Sequence, residues 1–131
     1  MQKLTNIPSF HDGHFLGVIL HSEANVSLFV SDLENKRYEI RLSGVDKLKI
    51  DNMREGNIIL SIESDQDISL DDPLIDEILE IDNNEMRKME FYRKYIEKLK
   101  NRSLIAFALN PSYGASIVAL CNDIAVVQLA Q

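Results

Sequence analysis

His11, Asp12 and His14 lie together near the start of the chain, and His21 follows a short way on. Two imidazoles and a carboxylate are ligands that zinc accepts, and three protein ligands leave a fourth position for a water activated for hydrolysis. A metal-dependent hydrolase built on the His11-Asp12-His14 turn, with His21 as a further ligand, is therefore one reading. The spacing works against it. His14 and His21 are an odd number of residues apart, so on one strand they point to opposite faces. The helical spacing of zinc-hydrolase signatures is also missing. The simpler reading is an aspartate capping a turn, with polar residues leading into a strand.

Nucleophilic chemistry needs a nucleophile beside an oriented base. Cys121 sits at the mouth of an apolar segment, where a free cysteine behaves as a small buried hydrophobe. Ser112 and Tyr113 follow Pro111 in what reads as a turn, without the flanking glycines of a nucleophile elbow. The glycines are scattered singly, so no loop cradles a phosphate.

From Glu55 to Met86 there is no Lys or Arg, while acidic residues recur throughout. Asp65, Asp67, Asp71 and Asp72 lack the central glycine and closing glutamate of a calcium loop. With Asp76 and Glu77 they form either a solvated face or a surface that docks on a basic partner.

These residues must be positioned by elements that the hydropathy pattern marks out. Phe15 to His21, Val26 to Val30, Tyr38 to Leu42, Val45 to Ile50 and Ile58 to Glu63 read as short strands, evenly spaced as in an antiparallel meander. Val26, Leu28 and Val30 face inward, as do Leu48 and Ile50. Tyr38, Ile40 and Leu42 alternate with Glu39 and Arg41. Asn25 suits a left-handed position in the turn before the second strand.

Asp72-Pro73 has the form of an N-cap with a first-turn proline, which predicts a short helix from Pro73 to about Glu80. Asp82 with Glu85 resembles a capping box opening the main helix, which runs to about Lys100. Met86, Met89, Tyr92, Ile96 and Leu99 form its apolar stripe. Arg87, Lys88, Arg93, Lys94, Lys98, Lys100 and Arg102 gather there, where they can face the acidic segment.

Ser103 to Leu109 is again a strand, and Asn110 to Gly114 is a turn by residue type. Ala115 to Leu120 and Ile124 to Leu129 read as a hairpin across Cys121-Asn122-Asp123, apolar enough to be central.

At 131 residues the chain is one domain able to bury a single core. It divides into a β-meander over 1–64, an acidic and helical insert over 65–102, and C-terminal strands over 103–131. The net charge of −7 excludes a nucleic-acid backbone as partner and suits a basic one. No apolar run is long enough to span a membrane, and no secretion signal core is visible at the start. The single cysteine cannot form an intrachain disulfide, which points to a reducing cytoplasm.

Two sets of residues together resemble a known group. Phe10-His11-Asp12-Gly13-His14 opens a strand, and is followed by Leu42-Ser43-Gly44-Val45 and Gly56-Asn57-Ile58-Ile59. Asn110-Pro111-Ser112-Tyr113-Gly114-Ala115 precedes a later strand that Cys121 closes. This pattern resembles small bacterial β-rich domains, the immunity proteins of polymorphic toxin systems of the immunity protein 50 kind. It covers most of the β-rich part but not the insert from Asp65 to Arg102. The resemblance implies a cytoplasmic domain that binds and neutralises a toxin without catalysis, and it assigns no residue roles.

The expected fold is α+β, an antiparallel sheet shaped as a sandwich or half-barrel with one main helix packed on it. The expected function is non-enzymatic protein binding without a cofactor. The partner would be a protein, in the sharper version a basic toxin. A metal-dependent hydrolase is the alternative. A homo-oligomer through the helix or an edge strand is the third reading.

Overall fold

The computed structural model describes residues 2–3, 9–66, 73–79, 90–101 and 104–130. Strands come first: β1 (Gln2–Lys3), β2 (His14–Leu20), β3 (Val26–Ser31), β4 (Arg37–Ser43), β5 (Lys47–Asp51) and β6 (Asn57–Asp65). Helices α1 (Pro73–Leu79) and α2 (Glu90–Lys100) follow, then β7 (Ile105–Tyr113), β8 (Ser116–Cys121) and β9 (Asp123–Gln128). All strand pairs are antiparallel. They form one nine-stranded sheet in the order β5-β8-β7-β6-β2-β3-β4-β9, with β1 on β6.

The two ends of that order belong to the same two chain segments. β4 leads into β5 through Gly44, Val45 and Asp46, and β8 leads into β9 through Asn122 alone. Segment 37–51 therefore runs antiparallel to segment 116–128 along its whole length, with one slip in register at the bend. Ser43 faces Asp123, whereas Lys47 faces Leu120. Asn122 N–H donates to Ser43 O and Asp46 N–H to Leu120 O, which carries the ladder across the bend. Strands that pass from one sheet to another at a bulge are how orthogonally packed sheets make their corners. Here they join β2-β3-β4-β9 to β5-β8-β7-β6. The opposite corner is short: His14 faces Ile58 and Phe15 faces Asn57.

Alternation fills the interior. Val30 faces Tyr38, Leu28 faces Ile40 and Val26 faces Leu42, and all six are buried. Leu42 then faces Ile124, Ile40 faces Val126, Leu48 faces Ala119 and Ile50 faces Ile117. The bend at Asn122 reverses the parity of its segment. Ile117, Ala119 and Cys121 point inward before it, and Ile124 and Val126 pack on the core after it. A second reversal lies in β2, where the register slips between Phe15 and Gly17. Phe15 is buried, Val18 packs on the core, and Leu16 is left outside.

A smaller cluster lies outside the barrel wall. Ala106, Ala108, Val118 and Leu120 face outward and are covered by Leu74, Ile75 and Ile78 of α1 and Ile96 of α2. Burying each such leucine or isoleucine side chain contributes about 1.5–3 kcal/mol. β7 and β8 are thereby buried on both faces, as their apolar composition suggests. On α2, Tyr95 is bracketed by Lys47 and Lys98, with Nζ atoms 5.5 and 5.6 Å from the ring centre.

Several expectations are corrected. The protein is mostly antiparallel β, not α+β with one main helix. Its two helices have 7 and 11 described residues and cover one wall of a barrel that has its own core. The proposed Asp72 cap, the Asp82–Glu85 box, Met86 and Met89 lie outside the described residues. Lys98 of the basic helix approaches Asp46 of the β4–β5 bend at 3.9 Å. The expected hairpin over Cys121-Asn122-Asp123 does not exist, because β8 and β9 pair with the same bent segment and not with each other. The Asn110–Gly114 turn shrinks to Gly114 and Ala115, since β7 continues to Tyr113. The register slips around Ile59 place Pro111, which has no N–H, at an irregularity where the ladder can spare one. Finally, Glu23 (φ 60°) and Ala24 (φ 59°), not Asn25, take the left-handed positions of the β2–β3 turn.

Candidate functional site

The histidines expected near a metal are positioned by the turn before β2 and its contact with β6. Gly13 donates its N–H to Phe10 O and Asp12 donates to Ile59 O, which closes the turn against β6. A Cβ at Gly13 would collide with the Ser31 carbonyl, so only glycine fits there. His11 Nδ1 is 3.1 Å from Leu60 O. A carbonyl only accepts, so Nδ1 carries the hydrogen. His11 Nε2 is 3.5 Å from Asp12 Oδ2, and both side chains are exposed. His14 begins β2 beside these two but does not complete a site with them. Among the described residues no group of three His, Cys, Asp or Glu side chains is arranged to hold a metal. His21 lies at the far end of β2 with partners of its own.

Of the residues expected to form an acidic surface, Asp65, Asp76 and Glu77 are among the described residues. Asp65 ends β6 opposite Ala106 and is half-buried. In α1, Asp76 is half-buried and Glu77 is exposed. Asp67, Asp71 and Asp72 lie outside the described residues.

The arrangement that composition does not reveal runs across the outer faces of β2, β3 and β4. Ser27 Oγ donates to Glu39 Oε2 at 2.6 Å and lies 2.8 Å from His21 Nε2. Arg41 Nε donates to Glu39 Oε1 at 3.0 Å. Ser27 is only 2% exposed, walled in by its neighbours. The hydrogen bond from Ser27 holds the Glu39 carboxyl below the usual carboxylate range. Burial pushes the other way, and Arg41 and the positive charge of His21 add to the lowering. The side chains line a depression of about 470 Å³ between the β2–β3 turn and β4, with Glu23 and Asn25 on its rim.

The order of the groups decides what this line can do. A hydrolytic triad places histidine between serine and carboxylate, so that imidazole takes the serine proton. Here serine is in the middle. Having given its one hydrogen to Glu39, Ser27 can only accept from His21, so His21 Nε2 carries a hydrogen whether the ring is neutral or charged, and only in the neutral ring is Nδ1 an acceptor. The group next to the serine proton is a carboxylate with a lowered pKa, a poor base. The line therefore orients His21 and fixes its tautomer, and it does not activate Ser27.

Beside it, β2 exposes large apolar side chains. Leu16 is 47% exposed, Ile19 48% and Leu20 69%. Residues 16–20 pair with β3 on one side, and no other described strand pairs with them on the other. Cys121, by contrast, is buried inside the barrel, and burial pushes its thiol up to about 12, with the charge of Asp123 adding to the effect. It is a packing residue and not a nucleophile.

No helix among the described residues is long and apolar enough to cross a membrane. Comparison with family models, with curated proteins and with solved structures finds no match, and nothing positive indicates an enzyme.

Proposed function

We propose that the chain is a non-catalytic protein-binding domain that docks a basic partner on the β2 side of the barrel. The observation that carries this reading is the exposure of Leu16 and Ile19 along one strand, with Leu20 exposed on the other face at its end, away from the wall that the helices cover. Interfaces commonly combine an apolar centre with a polar rim. The oriented His21, Glu23 and the Glu39–Arg41 pair supply that rim. The net charge of −7 favours a basic partner by steering. The resemblance to immunity proteins supports the narrower version, in which the partner is a toxin and the domain works in a reducing cytoplasm.

The test is capture from a native-host lysate with the wild type and with an Ile19→Asp/Leu20→Asp variant, at low and high salt. One basic protein retained by the wild type, weakened by salt and lost by the variant is the expected result. Identical capture by both proteins overturns the assignment of this surface.

A further inference from the structure

Among the described residues, β9 is a strand edge without the usual protection. Leu129 N–H donates to Arg37 O. In an antiparallel ladder, alternate residues direct both backbone groups at the same neighbour. Val127, Ala125 and Asp123, which face Glu39, Arg41 and Ser43, therefore bond to β4. Ile124, Val126 and Gln128 direct N–H and C=O to the other side, where no described strand pairs with them. Natural edges are blunted by lysine, proline or a bulge. β9 has no lysine, no proline and no slip within its pairing to β4. β2, the other edge of this half of the barrel, does carry a bulge.

We propose that two copies of the chain associate by pairing β9 with β9 of the other copy, antiparallel, about a two-fold axis at Val126. Charge and register select a second copy as the occupant. A chain of net charge −7 repels its own kind in general, but residues 124–130 carry no charge. The outward-bonding residues must face each other, and centring them puts Val126 opposite Val126 and Ile124 opposite Gln128. In that register Asp123 faces Leu129, so no like charges meet. Ala125 and Val127, on the outer face, become cross-strand neighbours, and the β2-β3-β4-β9 half continues across the axis into its copy. The contact is isologous, so it closes at a dimer and does not propagate. A single strand pair is a small interface, so association in the range of about 10–100 µM is expected.

Sedimentation velocity from about 1 to 300 µM tests this, since that span brackets the range above. For the wild type, the weight-average mass rises toward twice that of one chain. Val126→Pro removes an outward N–H while leaving the bonds to β4, and it remains a single chain with unchanged circular dichroism. Should that variant lose its fold, Ala125→Lys places two like charges diagonally across the axis and gives the same readout. A wild type that stays a single chain throughout, or folded variants that associate as the wild type does, overturns the proposal.

Discussion

Asn57 ties the loop at Arg54 to the turn at Gly114 and Ala115, and its removal tests how the barrel mouth is held. Its Oδ1 accepts the Arg54 N–H at 2.8 Å and the Ala115 N–H at 2.9 Å, and its Nδ2 donates to Arg54 O at 2.6 Å. The side chain is buried, and Gly114 passes so close that a Cβ there would strike Oδ1. In Asn57→Ala the Ala115 N–H is left unpaired in a site with no solvent access, which costs about 1–3 kcal/mol. Arg54 is exposed, so its backbone groups recover water, and each lost bond costs only about 0.5–1.5 kcal/mol. Together these amount to about 2–6 kcal/mol. Unfolding entropy near 2.1 cal/mol/K per residue over 131 residues converts that to a fall in Tm of roughly 7–22 °C. Denaturant unfolding measures the free energy, and amide exchange at Ala115 reports the site. Asn110→Ala is the control. It removes contacts to Ser61 and Glu63 at 3.1 and 3.3 Å from a part-buried position, and costs under about 1.5 kcal/mol. A loss under about 1 kcal/mol for Asn57→Ala, with Ala115 still protected, would refute the reasoning.

Ser27→Ala removes the largest influence lowering the Glu39 pKa, so in a carboxyl NMR titration that pKa should rise. A lowered carboxylate adds stability that is present above its unfolded pKa and lost as pH falls through its folded pKa. The wild type should therefore lose stability on acidification more steeply than Ser27→Ala, and parallel stability–pH curves would contradict the role given to Ser27. Ala24 holds a left-handed conformation that an L side chain disfavours, so Ala24→Gly should raise stability by about 0.5–1 kcal/mol; a loss on chemical denaturation would show that the turn is not strained there. Cys121 should resist thiol reagents at pH 8 in the native protein and react at once when unfolded; rapid native labelling would place it outside the core.

Much of the strand content is local and was legible. Val26, Leu28 and Val30, then Tyr38, Ile40 and Leu42, alternate because one face of each strand is buried, and period two survives in any tertiary setting. Pro73 opens α1 because a proline costs least in a first helical turn. The bends were not legible. Cys121-Asn122-Asp123 has the residue types of a hairpin turn, yet both flanking segments find the same partner strand. A bend and a turn draw on similar residues, and only distant pairing separates them. The same bend reverses which side chains face inward, and so does the slip at Leu16.

The His11-Asp12-His14 cluster was visible because its members are neighbours in sequence, yet only His11 and Asp12 approach each other and His14 does not complete a site with them. The His21–Ser27–Glu39–Arg41 line was missed for the converse reason. Its signal was present in the outward positions of three consecutive strands, but it becomes readable only when the register puts Ser27 beside Arg41 and Phe29 beside Glu39. Periodicity determined which side of each strand is wet. The tertiary structure decided which wet residues meet, because register and strand order are set by contacts between segments far apart in the chain.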